Sequence, residues 1–471
     1  MKAPVKIPKA PGGLPLLGHA LPLLRNPLAF LRTLPARGEV VQIRLGPMKV
    51  VMVCDPELTR QILVDDRTFD KGGPMFDRLR EHLGDGLATC PHSRHRRQRR
   101  LTQPAFHPSR FPAYARTMTQ QITRATAKWR HGQVLDVQDE MMALTMRTAL
   151  ETMFSDALPE QAVQEAIADI STMFEGSYRR AVTPPMISRV PTPGNRSYFQ
   201  ARNRLRQTLG EVIAQRRATN TDHGDLLSVL LTTEDTDGHT GGLTDSGLTD
   251  AEVSDQVVTF FAAAAETTAS ALTWALYFLA QEPDIAERVH AEADTALAGF
   301  SASHEHLPQL QLTSRVVTEA LRLYPPSWML TRTVTTDTIL GGYSMPAGTT
   351  VAFSSYLIHR RADLYKEPER FDPDRWDLRH PQPPRHAYIA FGAGARKCIG
   401  DQFGLTEAVL ALATITAHWR LELLAGRSDH PIVGLTLRGP KNLRMRLSSA
   451  RPRAGEGPRP RGVEDETPCN R

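Results

Sequence analysis

The ten residues Phe391–Gly400 read FGAGARKCIG, and they are the most informative stretch of this chain. Two glycines in it allow the backbone to approach a flat cofactor closely. Cys398 comes just before a predicted helix over 401–419, and a helix N-terminus lowers the pKa of a thiol. Phe391 can cover the sulfur, and Arg396 can pair with an anionic group of the cofactor. The alternative is a buried free cysteine in a glycine turn.

This stretch resembles, at every fixed position, the cysteine loop F-x-x-G-x-R-x-C-x-G of the cytochrome P450 enzymes. The resemblance covers about Gly13 to Leu447 and implies that Cys398 is the thiolate ligand of haem b. It implies a mainly α-helical fold with a small β region near the N-terminus, a proline-rich lid and a long central helix over the haem. The implied activity is monooxygenation with O2 and two electrons, delivered by a separate ferredoxin and ferredoxin reductase.

A second motif is Glu-Ala-Leu-Arg over 319–322. Residues three apart on a helix share a face, so Glu319 and Arg322 can pair. The motif resembles the family's E-x-x-R, and the segment 368–371 resembles its partner, which supplies Arg370. The resemblance implies a buried structural triad of Glu319, Arg322 and Arg370 that locks the loop bearing Cys398.

A long central helix is predicted from its two ends and its composition. Thr249 and Glu252 match a capping box at the start, and Pro283 stops the helix near Gln281. The sequence is apolar on all sides over 257–280, which predicts a helix that crosses the core.

Glu266 and Thr267 interrupt this apolar helix, which argues against a membrane span. A buried carboxylate is costly unless it is used or satisfied, and a threonine hydroxyl can bond back to the preceding turn. The alternative is a packing seam of small residues with a satisfied glutamate. The resemblance implies that Glu266 and Thr267 form the acid–alcohol pair that relays protons beside bound O2. Ala264 stands where the family commonly has glycine, which changes the shape of the oxygen groove.

A basic run, Arg94–Arg100, precedes a predicted helical region. Its members His95 and Arg99 are four apart and share a helix face. The resemblance implies that His95, Arg99 and the more distant Arg332 hold the haem propionates. The alternatives are a solvated basic face or a nucleic-acid contact for the run, and a plain surface arginine for Arg332.

Bulk properties restrict the class of protein. The 471 residues are 41% hydrophobic and 23% charged, which excludes disorder of the whole chain. The net charge of +6 favours acidic partners, and nucleic acid, anionic lipid and an acidic electron-transfer protein all fit. Four cysteines without paired spacing indicate a reducing, cytoplasmic location. No stretch reaches the ~20 apolar residues of a membrane span.

The chain is predicted to form one domain over 1–448. Its first 27 residues are proline-rich and are expected to lie extended, and 449–471 are expected to be a disordered tail. A β-hairpin is predicted over 41–53, and the lid candidates are 72–86 and 183–193.

The substrate class rests on a finer resemblance. Three stretches, 11–19, 95–101 and 103–106, are similar to actinobacterial oxygenases of terpenes, which implies a small apolar substrate, a sesquiterpene such as pentalenene, in antibiotic or terpenoid biosynthesis. Apolar residues at 261–262, 328–330 and 433–435 are expected to line the pocket.

Other functions remain open at this point. Within the family, the substrate could be a polyketide, a fatty acid or another secondary metabolite, or the chain could be an isomerase or dehydratase. Outside that chemistry, the rivals are a haem-binding sensor without turnover and a nucleic-acid-binding protein. The resemblance implies no nucleic-acid partner.

Overall fold

The computed structural model describes residues 6–155, 159–182, 190–219, 221–234, 247–424 and 430–450. Its helices are α1 Ala20–Arg25, α2 Pro27–Arg32, α3 Pro56–Val64, α4 Gly73–Leu83, α5 His92–Thr102, α6 Phe111–Thr126, α7 Val137–Phe154, α8 Glu160–Val182, α9 Pro193–Thr219, α10 Leu226–Thr232, α11 Asp250–Gln281, α12 Pro283–Leu297, α13 Gln311–Leu323, α14 Ser355–Ile358 and α15 Asp401–His418.

The strands are short, with two to six residues each. They are β1 Val40–Leu45, β2 Met48–Val53, β3 Phe69–Asp70, β4 Val134–Asp136, β5 Leu330–Val334, β6 Thr338–Leu340, β7 Tyr343–Met345, β8 Thr350–Phe353, β9 Trp419–Leu423, β10 Pro431–Val433, β11 Leu437–Pro440 and β12 Arg444–Ser449. The mainly α-helical class predicted from the sequence is confirmed.

The β structure is more widely distributed than the sequence predicts. The hairpin β1–β2 forms as expected, with Val40 opposite Val53. It belongs to a five-stranded sheet of order β1-β2-β8-β5-β3, in which β8 runs parallel to β2. A second sheet, β4-β12-β9, uses strands near the C-terminus. The small β region expected near the N-terminus therefore forms, and it is extended by strands of three to six residues elsewhere in the chain, which leave little periodicity in the sequence.

The proline-rich N-terminal segment is only partly extended. Residues 6–19 contain no helix, and the Ala10 N–H donates to the Gln42 carbonyl at 2.9 Å, which lays the segment along β1. Ala20–Arg25 is helical, contrary to the prediction. Pro22 is tolerated there because the N–H that it lacks belongs to the first turn, where no carbonyl partner exists.

The central helix α11 forms as predicted. The Thr249 side chain accepts from the Glu252 N–H, and the Glu252 carboxylate accepts from the Thr249 N–H, which completes the capping box. The first half of α11 packs into a hydrophobic cluster with α7 to α10, and the second half into another with α6, α13 and α15. Glu266, Thr267 and Thr268 lie where α11 passes from one cluster to the other.

The lid candidate 72–86 is largely the helix α4, and its C-terminal end is tied to α11. The Asp85 N–H donates to Asp255 Oδ2 at 2.8 Å, and the Leu87 N–H donates to Gln256 Oε1 at 2.9 Å. Of the other lid candidate, 183–189 lies outside the described residues, as does 451–471 of the predicted tail. In the described part of the chain, no helix is long and apolar enough to cross a bilayer.

Glu319 and Arg322 form a fully buried ion pair on α13. Both Arg322 Nε and Nη2 donate to the Glu319 carboxylate at 2.8 Å, and Nη1 donates to the carbonyls of His359 and Pro368 at 2.7 Å. The predicted third member, Arg370, is wrong. Its side chain is 65% exposed, and only its carbonyl accepts from Arg322.

Arg375 and Trp376 take the place predicted for Arg370. Arg375 Nε lies 3.5 Å from Glu319 Oε1, and Trp376 Nε1 donates to Glu319 Oε2 at 2.8 Å. The chain turns at Glu367, whose φ is +47°, and after this turn the Arg370 side chain faces solvent. The sequence motif alone does not encode that turn.

Replacing Arg375 with alanine is expected to lower the apparent free energy of unfolding of the holoenzyme by about 1.5–3 kcal/mol, because a buried carboxylate loses a charged donor. The matched control is Arg370→Ala, which removes an exposed side chain and should stay within about 0.5 kcal/mol of the wild type. Urea unfolding of the two variants makes the comparison. Equal losses of unfolding free energy in the two variants would indicate that the Arg370 side chain does stabilise the Glu319–Arg322 pair.

Candidate active site

A chain of hydrogen bonds connects the buried ion pair to the cysteine loop. His359 Nδ1 donates to the Arg322 carbonyl at 2.9 Å, and His359 Nε2 accepts from the Ile389 N–H at 2.9 Å. The Ile389 carbonyl accepts from the Gly392 N–H at 2.9 Å. Burial lowers the pKa of His359 to about 3, so the ring is neutral and can play both roles. The sequence analysis missed His359, which has no distinctive neighbours.

Cys398 is held by its own loop. Its N–H donates to the Phe391 carbonyl at 2.9 Å, and the Cys398 side chain is exposed on one side. A turn of 3₁₀-helix over Gly394–Arg396 precedes it, and α15 begins three residues after it. The Phe391 ring is half-buried and packs against the hydrophobic cluster that contains the second half of α11.

The glycine at 394 is required by the protein rather than by a cofactor. Its φ is +67°, and a Cβ atom there would lie 2.2 Å from the Leu63 carbonyl oxygen at the end of α3. Gly392 also has a positive φ, +69°, with open space around the position of a Cβ. The predicted close approach to a cofactor therefore remains a prediction for Gly392, whereas Gly394 fits the loop against α3.

The thiol of Cys398 does not follow the sequence prediction of a lowered pKa. Cys398 keeps an exposed surface, but the surrounding protein desolvates its sulfur and raises the pKa of the thiol, whereas a hydrogen bond from the Gly400 N–H and the charge of Arg99 act in the opposite direction. Cys398 precedes α15 by three residues, so the helix terminus acts on it only weakly. Coordination to a metal ion would itself deprotonate the thiol.

Arg396 is enclosed by protein partners. Its Nε donates to Asp66 Oδ2 at 3.0 Å, its Nη2 to Asp70 Oδ1 at 2.9 Å, and its Nη1 to the Cys90 carbonyl at 2.8 Å. The predicted contact of Arg396 with an anionic group of the cofactor stays a prediction. The two aspartates were not found from the sequence, because they lie more than 300 positions away.

Further cations surround Arg396. Burial, together with the charges of Arg332 and Arg396, lowers the pKa of Lys71 to about 7, and its Nζ donates to the Ala88 carbonyl at 2.8 Å. Arg332 is buried, and burial and the Arg396 charge lower its pKa to about 10. Burial lowers the pKa of the predicted residue His95 to about 3, so it is neutral. Lys71 was missed, since a lone lysine after a strand has no motif.

Arg99 lies on the other side of the loop. Its Nη1 donates to the Lys397 carbonyl at 2.7 Å and its Nε to Gln103 Oε1 at 2.9 Å. Arg99 therefore contacts the residue before Cys398, and its predicted contact with a propionate stays a prediction.

The middle of α11 has an accessible face, although the residues before and after it along the helix are buried. Residues 256–261 and 268–277 are buried, whereas Ala263 is exposed and Ala264 and Thr267 are partly exposed. Positions 263 and 267 share a helix face. The Thr267 hydroxyl donates to the Ala263 carbonyl at 2.6 Å, the bond to the preceding turn that the sequence predicts.

Glu266 is buried beside this open face. Burial raises the pKa of Glu266, and the nearby charge of Arg438 acts in the opposite direction, with Arg438 Nε 3.4 Å from Glu266 Oε1. Arg438, on β11, was missed because nothing in the sequence connects β11 to α11.

The helix that follows Cys398 packs against the helix that carries Thr267. A Cβ at Gly404 would lie 3.4 Å from the Thr268 hydroxyl oxygen. Glu407, also on α15, is fully buried, and burial raises its pKa to about 8 despite hydrogen bonds from Thr148 and Thr268. The helix that follows Cys398 and the helix that carries the open face are therefore in contact.

The residues fit an anionic, iron-bearing macrocycle. Lys71, Arg332 and Arg396 repel one another, and Asp66 and Asp70 are the carboxylates that pair with Arg396. Two carboxylates of a bound group would supply the missing negative charge. Cys398, which is the accessible cysteine among those that the structure describes, would supply the metal ligand.

The family model for cytochrome P450 matches residues 8–446. The chain belongs to the cytochrome P450 family. It is a haem-thiolate monooxygenase, and members of this family bind haem b through a cysteine thiolate. The chain superposes on the haem domain of cytochrome P450DA with a TM-score of 0.85 at 27% identity, covering 96% of this chain and 99% of that one. The family resemblance carried by Phe391–Gly400 is confirmed.

The relatives of this chain include three oxygenases of Streptomyces. This P450 is 46% identical to cyclooctat-9-en-7-ol 5-monooxygenase of Streptomyces melanosporofaciens, over 84% of this chain and 85% of that one. It is 41% identical to pentalenene oxygenase of Streptomyces avermitilis, over 90% of this chain and 93% of that one. Cyclooctatin synthase of Streptomyces melanosporofaciens is 43% identical, over 90% and 91%. The finer resemblance is also confirmed.

Removing the Arg438 charge is expected to raise the pKa of Glu266 further, since an opposite charge within about 4–6 Å favours the ionised carboxylate. In Arg438→Gln, the pH dependence of coupling, measured as product formed against peroxide released, should move upward by about one unit. Arg438→Lys should restore the wild-type profile, and the exposed control Arg444→Gln should not change it. Superimposable profiles for wild type and Arg438→Gln would contradict the electrostatic coupling.

Proposed function

We propose that this P450 oxidises a cyclic terpene, with Cys398 as the sole protein ligand of the haem iron. The observation that carries the site is the accessible face of α11 at Ala263–Thr267, on the helix that contacts α15, the helix that follows Cys398. The bound haem supplies oxygen activation. The chain supplies the thiolate, the cationic cradle, the proton path and the apolar pocket.

Glu266 and Thr267 are proposed to deliver protons. The Thr267 proton is engaged with the Ala263 carbonyl, so its hydroxyl oxygen is oriented to accept a hydrogen bond on the open face. Burial raises the pKa of Glu266 and favours its protonated form, which can donate. We propose that the haem propionates are bound by His95, Arg99, Arg332 and Arg396. We add Lys71 to this set because it is close enough to Arg332 and Arg396 for their charges to lower its pKa.

Apolar segments support a hydrocarbon-like substrate. Trp328 Nε1 donates to the Gly434 carbonyl at 3.1 Å, so two of the predicted pocket segments, 328–330 and 433–435, lie together. Met329 and Val433 pack against the same cluster as Trp328. The relatives named for pentalenene and for cyclooctat-9-en-7-ol extend the proposal to cyclic terpene hydrocarbons and their alcohols.

Electrons are proposed to arrive from a ferredoxin and its reductase. A surface groove lies beside the cysteine loop, and its lining residues are Arg100, Gln103, Pro104, His107, Ser109 and Arg110. Gln103 also accepts a hydrogen bond from Arg99, and Arg99 donates to the Lys397 carbonyl in the cysteine loop. Such a basic groove suits an acidic protein. We propose a cytoplasmic location for a single domain over 1–448, and the buried free thiols Cys54 and Cys90 are consistent with a reducing compartment.

Replacing Cys398 with serine is expected to abolish the thiolate-type absorption band of the ferrous–carbonyl complex, because the iron loses its sulfur ligand. The matched control is Cys54→Ala, which removes a buried thiol of the N-terminal cluster and should leave the band in place. An unchanged thiolate-type band in Cys398→Ser would refute the assignment.

The terpene proposal is tested by titrating the ferric holoenzyme with pentalenene-like hydrocarbons and cyclic terpene alcohols, followed by turnover with a reconstituted ferredoxin system. We expect a substrate-type spectral shift and a monooxygenated product, because the apolar wall provides shape and area with few polar contacts. A fatty acid and a macrolide serve as comparison ligands. Oxidation of a comparison ligand with no shift or product from any terpene would reject the substrate class and leave the monooxygenase intact.

A further inference from the structure

Exposed leucines are concentrated near the N-terminus. Leu16 is 87% exposed, and the other exposed leucines of this region are Leu14, Leu17 and Leu24. Four such side chains within eleven residues form a patch of the kind that marks an interaction site in soluble proteins. We call Leu14, Leu16, Leu17 and Leu24 the leucine tip.

The leucine tip is an ordered part of the fold. The Leu14 N–H donates to the Gly18 carbonyl at 2.8 Å, and the Gly18 N–H donates back at 2.9 Å. The Gly46 N–H donates to the Leu17 carbonyl at 3.1 Å, which fixes the turn to the end of the β1–β2 hairpin. Leu16 has φ +62°, a conformation that costs free energy for a residue with a side chain. The fold thus holds an apolar side chain in solvent at the cost of backbone strain.

Positive charge surrounds this tip. Arg44 and Lys49 are exposed and lie directly opposite each other on β1 and β2, where like charges are destabilising. Arg25 follows Leu24 and is also exposed. Residues 6–50 contain seven lysines and arginines and a single acidic residue, Glu39. An anionic partner would relieve the repulsion between Arg44 and Lys49.

We propose that the leucine tip, with Arg44 and Lys49, docks on the surface of an anionic lipid bilayer. Apolar side chains that project from a turn can enter the boundary between headgroups and acyl chains, while flanking cations stay with the lipid phosphates. A protein partner is less well matched, because Leu16 is exposed over almost its whole surface. The proposal is independent of the terpene substrate and of the haem ligands, since it uses none of those residues.

Cosedimentation of the full-length holoenzyme with vesicles tests the proposal. We expect binding to phosphatidylglycerol–phosphatidylcholine vesicles that exceeds binding to pure phosphatidylcholine vesicles and falls as salt rises. The double variant Leu16→Ser/Leu17→Ser should lower the partition constant about tenfold. Arg44→Gln/Lys49→Gln should remove most of the preference for anionic vesicles. The control Ile339→Ser, an exposed apolar residue of the β6–β7 sheet, should bind like the wild type.

The ferrous–carbonyl spectrum of each variant, recorded without vesicles, verifies that the fold and the haem site are intact. Equal binding of wild type and Leu16→Ser/Leu17→Ser, or equal binding to anionic and neutral vesicles, would overturn the proposal. A dimer in sedimentation velocity that the leucine substitutions dissociate, without vesicle binding by the wild type, would overturn it in favour of a second copy of the chain.

Discussion

The buried pair of Glu319 and Arg322 is the interaction on which the active-site loop depends. Removing either partner would leave a charge without compensation in the core, a cost of about 3–5 kcal/mol for a buried pair. The pair is useful because Arg322 has more donors than Glu319 can accept. Its remaining N–H groups and its carbonyl hold the segment around His359, and His359 in turn holds Ile389 two residues before Phe391. A charge pair far from the cysteine in sequence thus determines where the thiol lies.

The chemistry of the site follows from the position of α11 between two hydrophobic clusters. A helix buried in one continuous core would leave no room for a substrate, and polar residues in it would be unsatisfied. At the junction, the accessible side chains of Ala263, Ala264 and Thr267 are small, so the helix surface recedes there. Glu266 is buried on the same turn with Arg438 close by, which keeps a carboxyl group near the open face without exposing it to bulk water.

Sequence reasoning succeeded where the chemistry is local and failed where it is set by the tertiary fold. The cap at Thr249, the end of α11 and the loop around Cys398 all depend on residues within a few positions of one another. Arg375, Lys71 and Arg438 act through partners that are distant in sequence, so no spacing could reveal them. The direction of the thiol pKa was missed for the same reason, because burial by distant segments outweighs the nearby helix terminus.

The parallel pairing of β2 with β8 has a consequence for biosynthesis. The two strands are separated by about 300 residues, so the edge of β2 that will pair with β8 stays without its partner while the intervening chain is made. At about 5–20 residues per second, this interval lasts roughly 15–60 s. An unpaired apolar edge is prone to associate with other chains. The first hairpin of the nascent protein is therefore open to such association until the strand from the last third of the chain arrives.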